Sequence, residues 1–152
     1  MIEGYQILFW GHAFLTTQSF YRDPIFLMLV TLPLPFWTVM YIIQGALGTK
    51  DLPALWMLVL LYPLLEEIIF RGILQPFLSR FVRTSWSLLS LANIITSTLF
   101  VSLHFISHPP LWALATFFPS VIFGYIQERT NNLLAPIILH CSYNAAYFVM
   151  LG

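Results

Sequence analysis

The chain has 152 residues, of which 59% are hydrophobic and only 8% are charged. A soluble domain carries roughly 25% charged residues, so this chain has too few charged side chains to cover a water-facing surface. Its composition therefore predicts an integral membrane protein. The formal net charge is zero, which excludes the basic footprint of a nucleic-acid-binding protein. The single cysteine, Cys141, excludes an internal disulfide and a multi-cysteine metal site.

Five apolar stretches have about the length of a membrane-spanning helix, which needs roughly 20 residues to cross a hydrocarbon core of about 30 Å. They are residues 25–47, 52–71 or beyond, 86–106, 111–127 and 133–151. Residues 1–22 are also apolar and aromatic but contain Glu3, His12 and Gln18, so they either lie along the membrane interface or form a sixth span. They lack the basic segment and small-residue cleavage site of a signal peptide. We predict an all-α fold, a polytopic transmembrane helical bundle of five to six spans, in a single membrane-embedded domain of residues 1–152.

The segments between these stretches predict the topology. The longest, residues 72–85, mixes apolar residues with arginines, which fits either an amphipathic helix on the membrane surface or a prolongation of the preceding span. With five spans, one side of the membrane receives most of the basic residues, namely Arg22, Arg80, Arg83 and Arg129, and the other side receives Lys50. Because positive charge marks the cytoplasmic side, we expect the arginine-rich loops in the cytoplasm and the C-terminus outside.

Three charged residues lie within the second apolar stretch, where a charge at the centre of a helix costs about 2.5–3.5 kcal/mol and usually marks function. Glu67 and Arg71 are spaced i and i+4, so they share a helical face and can neutralise each other as structural support. Glu66 points about 100° away around the helix and has no cation nearby in sequence. This unpaired carboxylate is the candidate general base. In a purely structural interpretation, all three residues pin helices together.

Further polar residues lie in the third and fifth stretches. Phe100 and His104 share a helical face, and so do His140 and Asn144. A lone histidine in a span is more often a hydrogen-bonded helix contact than a catalytic group. Two histidines, together with an asparagine on the same face and the unpaired Glu66 on a third helix, favour a common site.

These residues resemble the motifs of the CPBP family, also called ABI, of intramembrane glutamic endopeptidases. That family includes the eukaryotic CAAX prenyl endopeptidases and bacterial bacteriocin-processing proteins. Its motifs are two adjacent glutamates with an arginine at the fifth position after the first, then Phe-x-x-x-His, then His-x-x-x-Asn. All three occur here in this order, as Glu66, Glu67 and Arg71, Phe100 and His104, and His140 and Asn144. The resemblance covers the motif-bearing core of roughly residues 52–151, and the neighbouring residues 70–72 and 134–140 match as well.

The resemblance implies roles for the motif residues. These are water activation by Glu66 and His104, oxyanion stabilisation by His140 and Asn144, and support of the site by Glu67, Arg71 and Phe100. No cofactor is implied. The expected substrate is a membrane-anchored protein or peptide, such as a C-terminal tail, and the expected location is a bacterial or archaeal cytoplasmic membrane. The chain also resembles short members that are associated with C-terminal sorting signals of the JDVT-CTERM type.

Other functions remain open from the residues alone. Glu66, His104 and His140 would also form a catalytic zinc set. Against it, His-Glu-x-x-His is absent, and no carboxylate lies beside either histidine as an obvious partner for its other ring nitrogen. A carrier could use the same residues as a proton relay, although the internal repeats typical of carriers are absent. A non-catalytic immunity or adaptor protein would not need the complete set. Cys141 diverges from His140 around the helix, which disfavours a cysteine nucleophile, and His108 is interpreted as a packing or interface residue.

The depth of the polar residues predicts how the second helix must run. Suppose that this helix ended at residue 71 on the cytoplasmic side and that the third helix began there at residue 86. The rise of 1.5 Å per residue would then place Glu66 about 8 Å from the cytoplasmic side and His104 about 27 Å from it. The two side chains would then be too far apart to share a water molecule. A continuous or kinked helix over residues 54–79 removes this conflict, and Pro76 would kink it rather than necessarily end it. We therefore predict such a helix, with the four candidate catalytic residues converging on one cavity.

Overall fold

The computed structural model describes residues 19–44, 52–86 and 88–150. In chain order its elements are a 3₁₀ turn at Phe20–Arg22, helices α1 (Pro24–Thr31) and α2 (Pro33–Gln44), the long helix α3 (residues 52–81), strands β1 (Ser85–Trp86) and β2 (Leu89–Ser90), and helices α4 (Leu91–His104), α5 (Pro110–Ala115), α6 (Phe117–Thr130) and α7 (Leu134–Met150). The described chain is mostly helical, as the predicted all-α class requires. The hairpin of β1 and β2 is a small addition that the sequence did not predict.

The helices coincide with the apolar stretches that were predicted as spans. Two helical stretches in the described ranges, Pro24–Ile43 and Pro110–Thr130, are long and apolar enough to cross a membrane by length and composition, and Leu91–His104 is a shorter apolar helix. The count of five to six spans stays a prediction. The segment proposed as a sixth span, residues 1–22, lies almost entirely outside the described residues.

Helix α3 is unbroken from residue 52 to residue 81. The predicted continuous or kinked helix over residues 54–79 is therefore confirmed. Most of the link over residues 72–85 prolongs this helix, and no separate surface helix follows within that link. Helix α3 contains two π-helical segments, Met57–Leu61 and Ile68–Leu74, in which the turn is wider than in an α-helix. Such segments are rare and frequently occur at functional sites.

A proline follows each π-helical segment closely. The Tyr62 N–H bonds the Met57 carbonyl, five residues back, so the next donor in this register would be residue 63, bonding the Leu58 carbonyl. Pro63 has no N–H, which leaves the Leu58 carbonyl without that intrahelical partner. The same succession of a π-helical segment and a proline recurs at Pro76. The Leu58 carbonyl can therefore accept a hydrogen bond from a donor outside α3.

Helix α4 begins later than the sequence predicted. The third apolar stretch was expected to be helical from residue 86, but Ser85–Trp86 and Leu89–Ser90 pair as antiparallel strands instead. The Ser90 hydroxyl then accepts a hydrogen bond from the Asn93 N–H at 2.9 Å and caps the helix, which starts at Leu91. A serine at this position is a strong helix-start signal. The predicted start was wrong because this cap was not recognised.

Helix α6 packs against both α4 and α7 and so occupies the middle of the bundle. The apolar core is formed by buried side chains of α1, α6 and α7, namely Phe26, Leu29, Phe123, Ile126, Ala135 and Leu139. This core fixes α7, which carries two of the predicted site residues, against α6. The faces of the helices that point away from it carry many exposed large hydrophobic side chains, as expected of a surface that contacts lipid.

A buried polar layer joins α3, α4 and α6. The Gln75 amide donates to the Gly124 carbonyl at 3.2 Å and to the Glu128 carboxylate at 2.7 Å. The Asn93 amide donates to the Val121 carbonyl at 3.0 Å. A methyl group on Gly124 would overlap the side chains of both Asn93 and Gln75, so the glycine allows the three helices to approach closely. Interhelical hydrogen bonds of this kind each contribute about 0.6–2 kcal/mol in a membrane protein.

An ion pair joins the start of α1 to the end of α6. The Arg129 Nε lies 2.9 Å from the Asp23 Oδ2, and Asp23 also caps α1 by accepting from the N–H groups of Ile25 and Phe26. Burial raises the pKa of the Asp23 carboxyl, but the hydrogen bonds from Phe26, Arg129 and Ile25 outweigh it and leave that pKa below its ordinary value of 3.8. The pair sets Arg22 and Arg129 at the same end of the molecule, as the predicted orientation requires. That this end faces the cytoplasm stays a prediction.

Candidate active site

A cavity of about 310 Å³ lies among helices α2 to α7. Its lining includes the four residues predicted as catalytic, Glu66, His104, His140 and Asn144, together with Phe100. The fold therefore brings side chains from α3, α4 and α7 to one cavity, and the predicted convergence is confirmed as geometry. The catalytic role of each side chain stays a prediction.

The two adjacent glutamates of α3 have different surroundings. The Glu66 side chain is 33% exposed and lines the cavity. The Glu67 side chain is fully buried, and its Oε1 lies 3.1 Å from the Nη1 of Arg71, which is fully buried as well. The predicted contact between Glu67 and Arg71 is confirmed, and Glu66 faces the cavity, whereas the division of the two glutamates into a structural and a catalytic role stays a prediction. Removing one member of such a buried pair would leave an uncompensated charge inside the protein.

His140 lies between the two glutamates. Its Nδ1 is 2.8 Å from the Glu67 Oε1, and its Nε2 is 3.6 Å from the Glu66 Oε2. Because an ionised carboxylate only accepts hydrogen bonds, we assign the hydrogen to Nδ1, which donates to Glu67, and the Nε2 is directed at Glu66. The sequence-based view that no carboxylate lies beside either histidine is therefore wrong for His140. The two partners are 73 residues apart, and no local pattern predicts their contact.

Arg71 is held by α6 as well as by Glu67. Its Nη2 donates to the Ser120 carbonyl at 2.8 Å and to the Ser120 hydroxyl. Its guanidinium carbon lies 5.0 Å from the centre of the Phe100 ring and 5.8 Å from that of Phe123, which is within the range of a cation–π contact. Phe123 also stacks on His140, with ring centres 4.8 Å apart. Sequence reasoning missed Ser120 and Phe123, because no charge or motif marks these positions of α6.

Among the described residues, only one ring nitrogen of His104 has a hydrogen-bond partner. Its Nδ1 lies 2.9 Å from the Phe100 carbonyl, which can only accept, so we assign the hydrogen to Nδ1 and a free lone pair to Nε2 of the neutral ring. The His104 ring lies 4.4 Å from the Phe100 ring and stacks on His108 at 5.7 Å and Trp112 at 6.0 Å, measured between ring centres. His108 packs on Trp112, in line with the packing role predicted for it, and it also lines the cavity.

Asn144 connects α7 to the π-helical part of α3. Its Nδ2 donates to the Leu58 carbonyl at 2.8 Å, which is the carbonyl left without an intrahelical partner by Pro63. This contact fixes the position of the amide on the cavity wall. An amide nitrogen carries two hydrogens, so one donor remains for a second acceptor. Pro63 was the part of this arrangement that was visible in the sequence.

The arrangement bears on two alternative mechanisms, one that uses a zinc ion and one that uses Cys141 as the nucleophile. In the described part of the chain, no group of three or more His, Cys, Asp and Glu side chains is placed to hold a metal ion. The predicted zinc alternative of Glu66, His104 and His140 therefore lacks an assembled ligand set in these described residues. Glu67 does accept a hydrogen bond from His140, as carboxylates beside zinc-bound histidines do. Cys141 does not belong to the cavity lining, in agreement with its predicted divergence from His140.

Comparison with known proteins assigns the region that carries these residues. A family model described as "Type II CAAX prenyl endopeptidase Rce1-like" matches residues 47–146. The match covers well over half of the chain, and it includes every motif residue that lines the cavity. It overlaps most of the motif-bearing core predicted over residues 52–151. No curated protein and no solved structure matches the chain.

Proposed function

Since the chain belongs to the type II CAAX prenyl endopeptidase Rce1-like family, whose members are membrane-embedded endopeptidases, we propose that it hydrolyses a peptide bond of a membrane-associated substrate by means of a water molecule activated by a glutamate and a histidine. The observation that carries this proposal is the cavity on which Glu66, His104, His140 and Asn144 meet. These side chains come from three separate helices, so a shared function explains their meeting better than four independent packing roles.

Glu66 is the proposed general base, and His104 is its partner in holding the water. The Glu66 carboxylate and the lone pair of His104 Nε2 are both acceptors, so a water molecule between them donates one hydrogen to each and keeps its lone pairs free. That oxygen attacks the carbonyl carbon of the substrate while Glu66 takes one proton. When the C–N bond breaks, Glu66 returns this proton to the leaving nitrogen. The products are a carboxylic acid and an amine.

His140 and Asn144 are the proposed oxyanion donors. The Asn144 amide has one hydrogen left after its bond to the Leu58 carbonyl. The Nδ1–H of His140 is used by Glu67, so His140 donates from Nε2 only as a cation. The cluster then holds two carboxylates and two cations, with Arg71 as the second cation, and its charges balance. Removal of one oxyanion donor typically lowers kcat by about 10²–10³-fold.

The proposed substrate is a membrane-anchored protein or peptide, with a C-terminal tail as one form of it. The cavity wall beyond the polar cluster is rich in aromatic rings, among them Trp37, Trp112 and Tyr147, which suits an apolar segment of the substrate. We assign the end of the molecule that holds Arg22 and Arg129 to the cytoplasm. We further propose that the protein is an integral protein of a bacterial or archaeal cytoplasmic membrane.

The direct test of this function is co-expression of candidate membrane-anchored substrates with the wild type or with Glu66→Ala, followed by mass spectrometry of the substrate. The expected result is a new product with the wild type and none with Glu66→Ala. Glu128→Gln is the matched control, because Glu128 is a carboxylate outside the cavity lining, and it should still give the product. The same product with Glu66→Ala would contradict the proposal.

A further inference from the structure

A continuous chain of buried polar contacts leads from α6 to the cavity. Ser120 accepts two hydrogen bonds from the Arg71 Nη2, one at its carbonyl and one at its hydroxyl. The Arg71 Nη1 then lies 3.1 Å from the Glu67 Oε1, and that same oxygen lies 2.8 Å from the His140 Nδ1. The side chains of Glu67 and Arg71 are fully inaccessible, as is Ser120 as a whole. Helices α3, α6 and α7 are therefore linked through the Arg71 guanidinium group and one oxygen of the Glu67 carboxylate.

Ser120 determines the direction in which Arg71 points. The guanidinium group is planar and rigid, so the position of Nη2 determines where Nη1 lies. The Phe100 and Phe123 rings make cation–π contacts with the guanidinium group. Such contacts are weakly directional compared with a hydrogen bond. The in-plane orientation is thus set by hydrogen bonds at its two ends, to Glu67 on one side and to Ser120 on the other.

The consequence reaches His140. The Glu67 Oε1 receives both the Arg71 Nη1–H and the His140 Nδ1–H, so a rotation of the guanidinium group moves the acceptor that holds the imidazole. If that acceptor moves, Nδ1–H loses its fixed partner, and a rotated ring becomes accessible. The Nε2 would then no longer be held 3.6 Å from Glu66.

We propose that Ser120 is a positioning residue of the site, which acts through Arg71 and Glu67 to fix the ring orientation of His140. The proposal rests on the function proposed above for His140. Ser120 belongs to none of the sequence motifs described above, so the proposal adds a residue of α6 to the site. Substitution of Ser120 removes only the hydrogen bond to its hydroxyl. The other hydrogen bond is accepted by the backbone carbonyl of residue 120 and is retained in any variant.

The first test reads His140 directly and does not require activity. Protein labelled with ¹⁵N in its histidine rings is examined by NMR in detergent, as the wild type, Ser120→Ala, Ser120→Thr and Ser97→Ala, with His140→Gln to assign the signals. Ser97 is the matched control, because it is also fully buried and its hydroxyl donates to the Asn93 side chain at 3.2 Å, outside the contact chain. Ser120→Ala should change the Nδ1 and Nε2 signals of His140, whereas Ser97→Ala leaves them unchanged and Ser120→Thr retains the wild-type signals.

The second test measures cleavage kinetics on the same variants. Loss of a hydrogen bond to a buried charge should lower kcat about tenfold in Ser120→Ala, with KM unchanged, because the substrate does not contact Ser120. Ser97→Ala should retain the wild-type kcat, and Ser120→Thr should restore most of it. His140 signals that are unchanged in a folded Ser120→Ala would overturn the proposal. Altered signals without any detectable cleavage by the wild type would support the positioning role and contradict the proposed protease function instead.

Discussion

The substitution Glu67→Gln tests whether the adjacent glutamates divide structural and chemical work as their surroundings indicate. Glu67 is the only carboxylate in hydrogen-bond contact with the fully buried Arg71 among the described residues, and its Oε1 also binds His140. A glutamine keeps nearly the same shape but removes the negative charge. Among the described residues, Arg71 would then remain as a buried cation with no carboxylate in hydrogen-bond contact.

The expected loss of stability follows from this burial. Breaking a buried ion pair by removing one partner costs about 3–5 kcal/mol, and each kcal/mol shifts the Tm by roughly 2–4 °C for a domain of this size. Glu67→Gln should therefore lower the Tm by roughly 6–20 °C. Glu66→Gln should cost no more than about 1 kcal/mol, because Glu66 is one-third exposed and has no arginine or lysine partner in the described structure.

The assay can use the only cysteine of the chain. Cys141 is partly buried on α7, so a thiol-reactive fluorogenic dye reports its exposure when the protein unfolds in detergent. The two variants and the wild type are heated side by side. If Glu67→Gln and Glu66→Gln unfold at the same temperature, within about 2 °C, the buried pair does not have the stabilising role derived from its geometry.

Three further predictions test other parts of the structure. Strong chelation should leave cleavage unchanged, and a loss of activity that zinc restores would establish the zinc alternative. Gly124→Ala should lower the free energy of unfolding by about 1–3 kcal/mol, since its methyl group overlaps the Asn93 side chain, whereas Gly72→Ala, whose nearest contact would be the Leu133 side chain at 3.1 Å, should cost less. The Asp23 carboxylate, whose pKa is lowered on folding, stabilises the protein above its unfolded pKa and loses this effect as the pH falls through its folded pKa. The Tm difference between the wild type and Asp23→Asn should thus be constant above about pH 5 and shrink below pH 3.8, and a difference that grows on acidification would contradict the contact with Arg129.

The features of the fold that sequence could predict are those carried by short-range periodicity. The pairing of Glu67 with Arg71 follows from their i and i+4 spacing, and the apolar stretches follow from bilayer thickness. The continuity of α3 past Pro76 followed from a depth argument, because a helix ending at residue 71 would have separated Glu66 from His104. These predictions use the spacing and rise of residues along each individual helix, which can be calculated from sequence positions.

The features that sequence could not predict depend on how helices meet. Ser120 anchors Arg71 from 49 residues away, and neither residue type nor spacing reveals that contact. The bond from Asn144 to the Leu58 carbonyl could be predicted only if the π-helical register were known. In an ordinary α-helix, Pro63 would instead leave the carbonyl of Val59, four residues earlier, without a donor. The late start of α4 depends on a hairpin of two residues per strand, which is too short to produce a periodic signal.

The measurement that tests the central claim most directly is the rate of substrate cleavage by purified Glu66→Gln. The substitution removes the proposed base, nearly preserves the shape of the side chain and leaves the buried pair of Glu67 and Arg71 intact. The protein should retain a Tm close to that of the wild type and should lose cleavage altogether. A folded Glu66→Gln variant that cleaves at the wild-type rate would contradict the assignment of Glu66 as the base that activates water in this cavity.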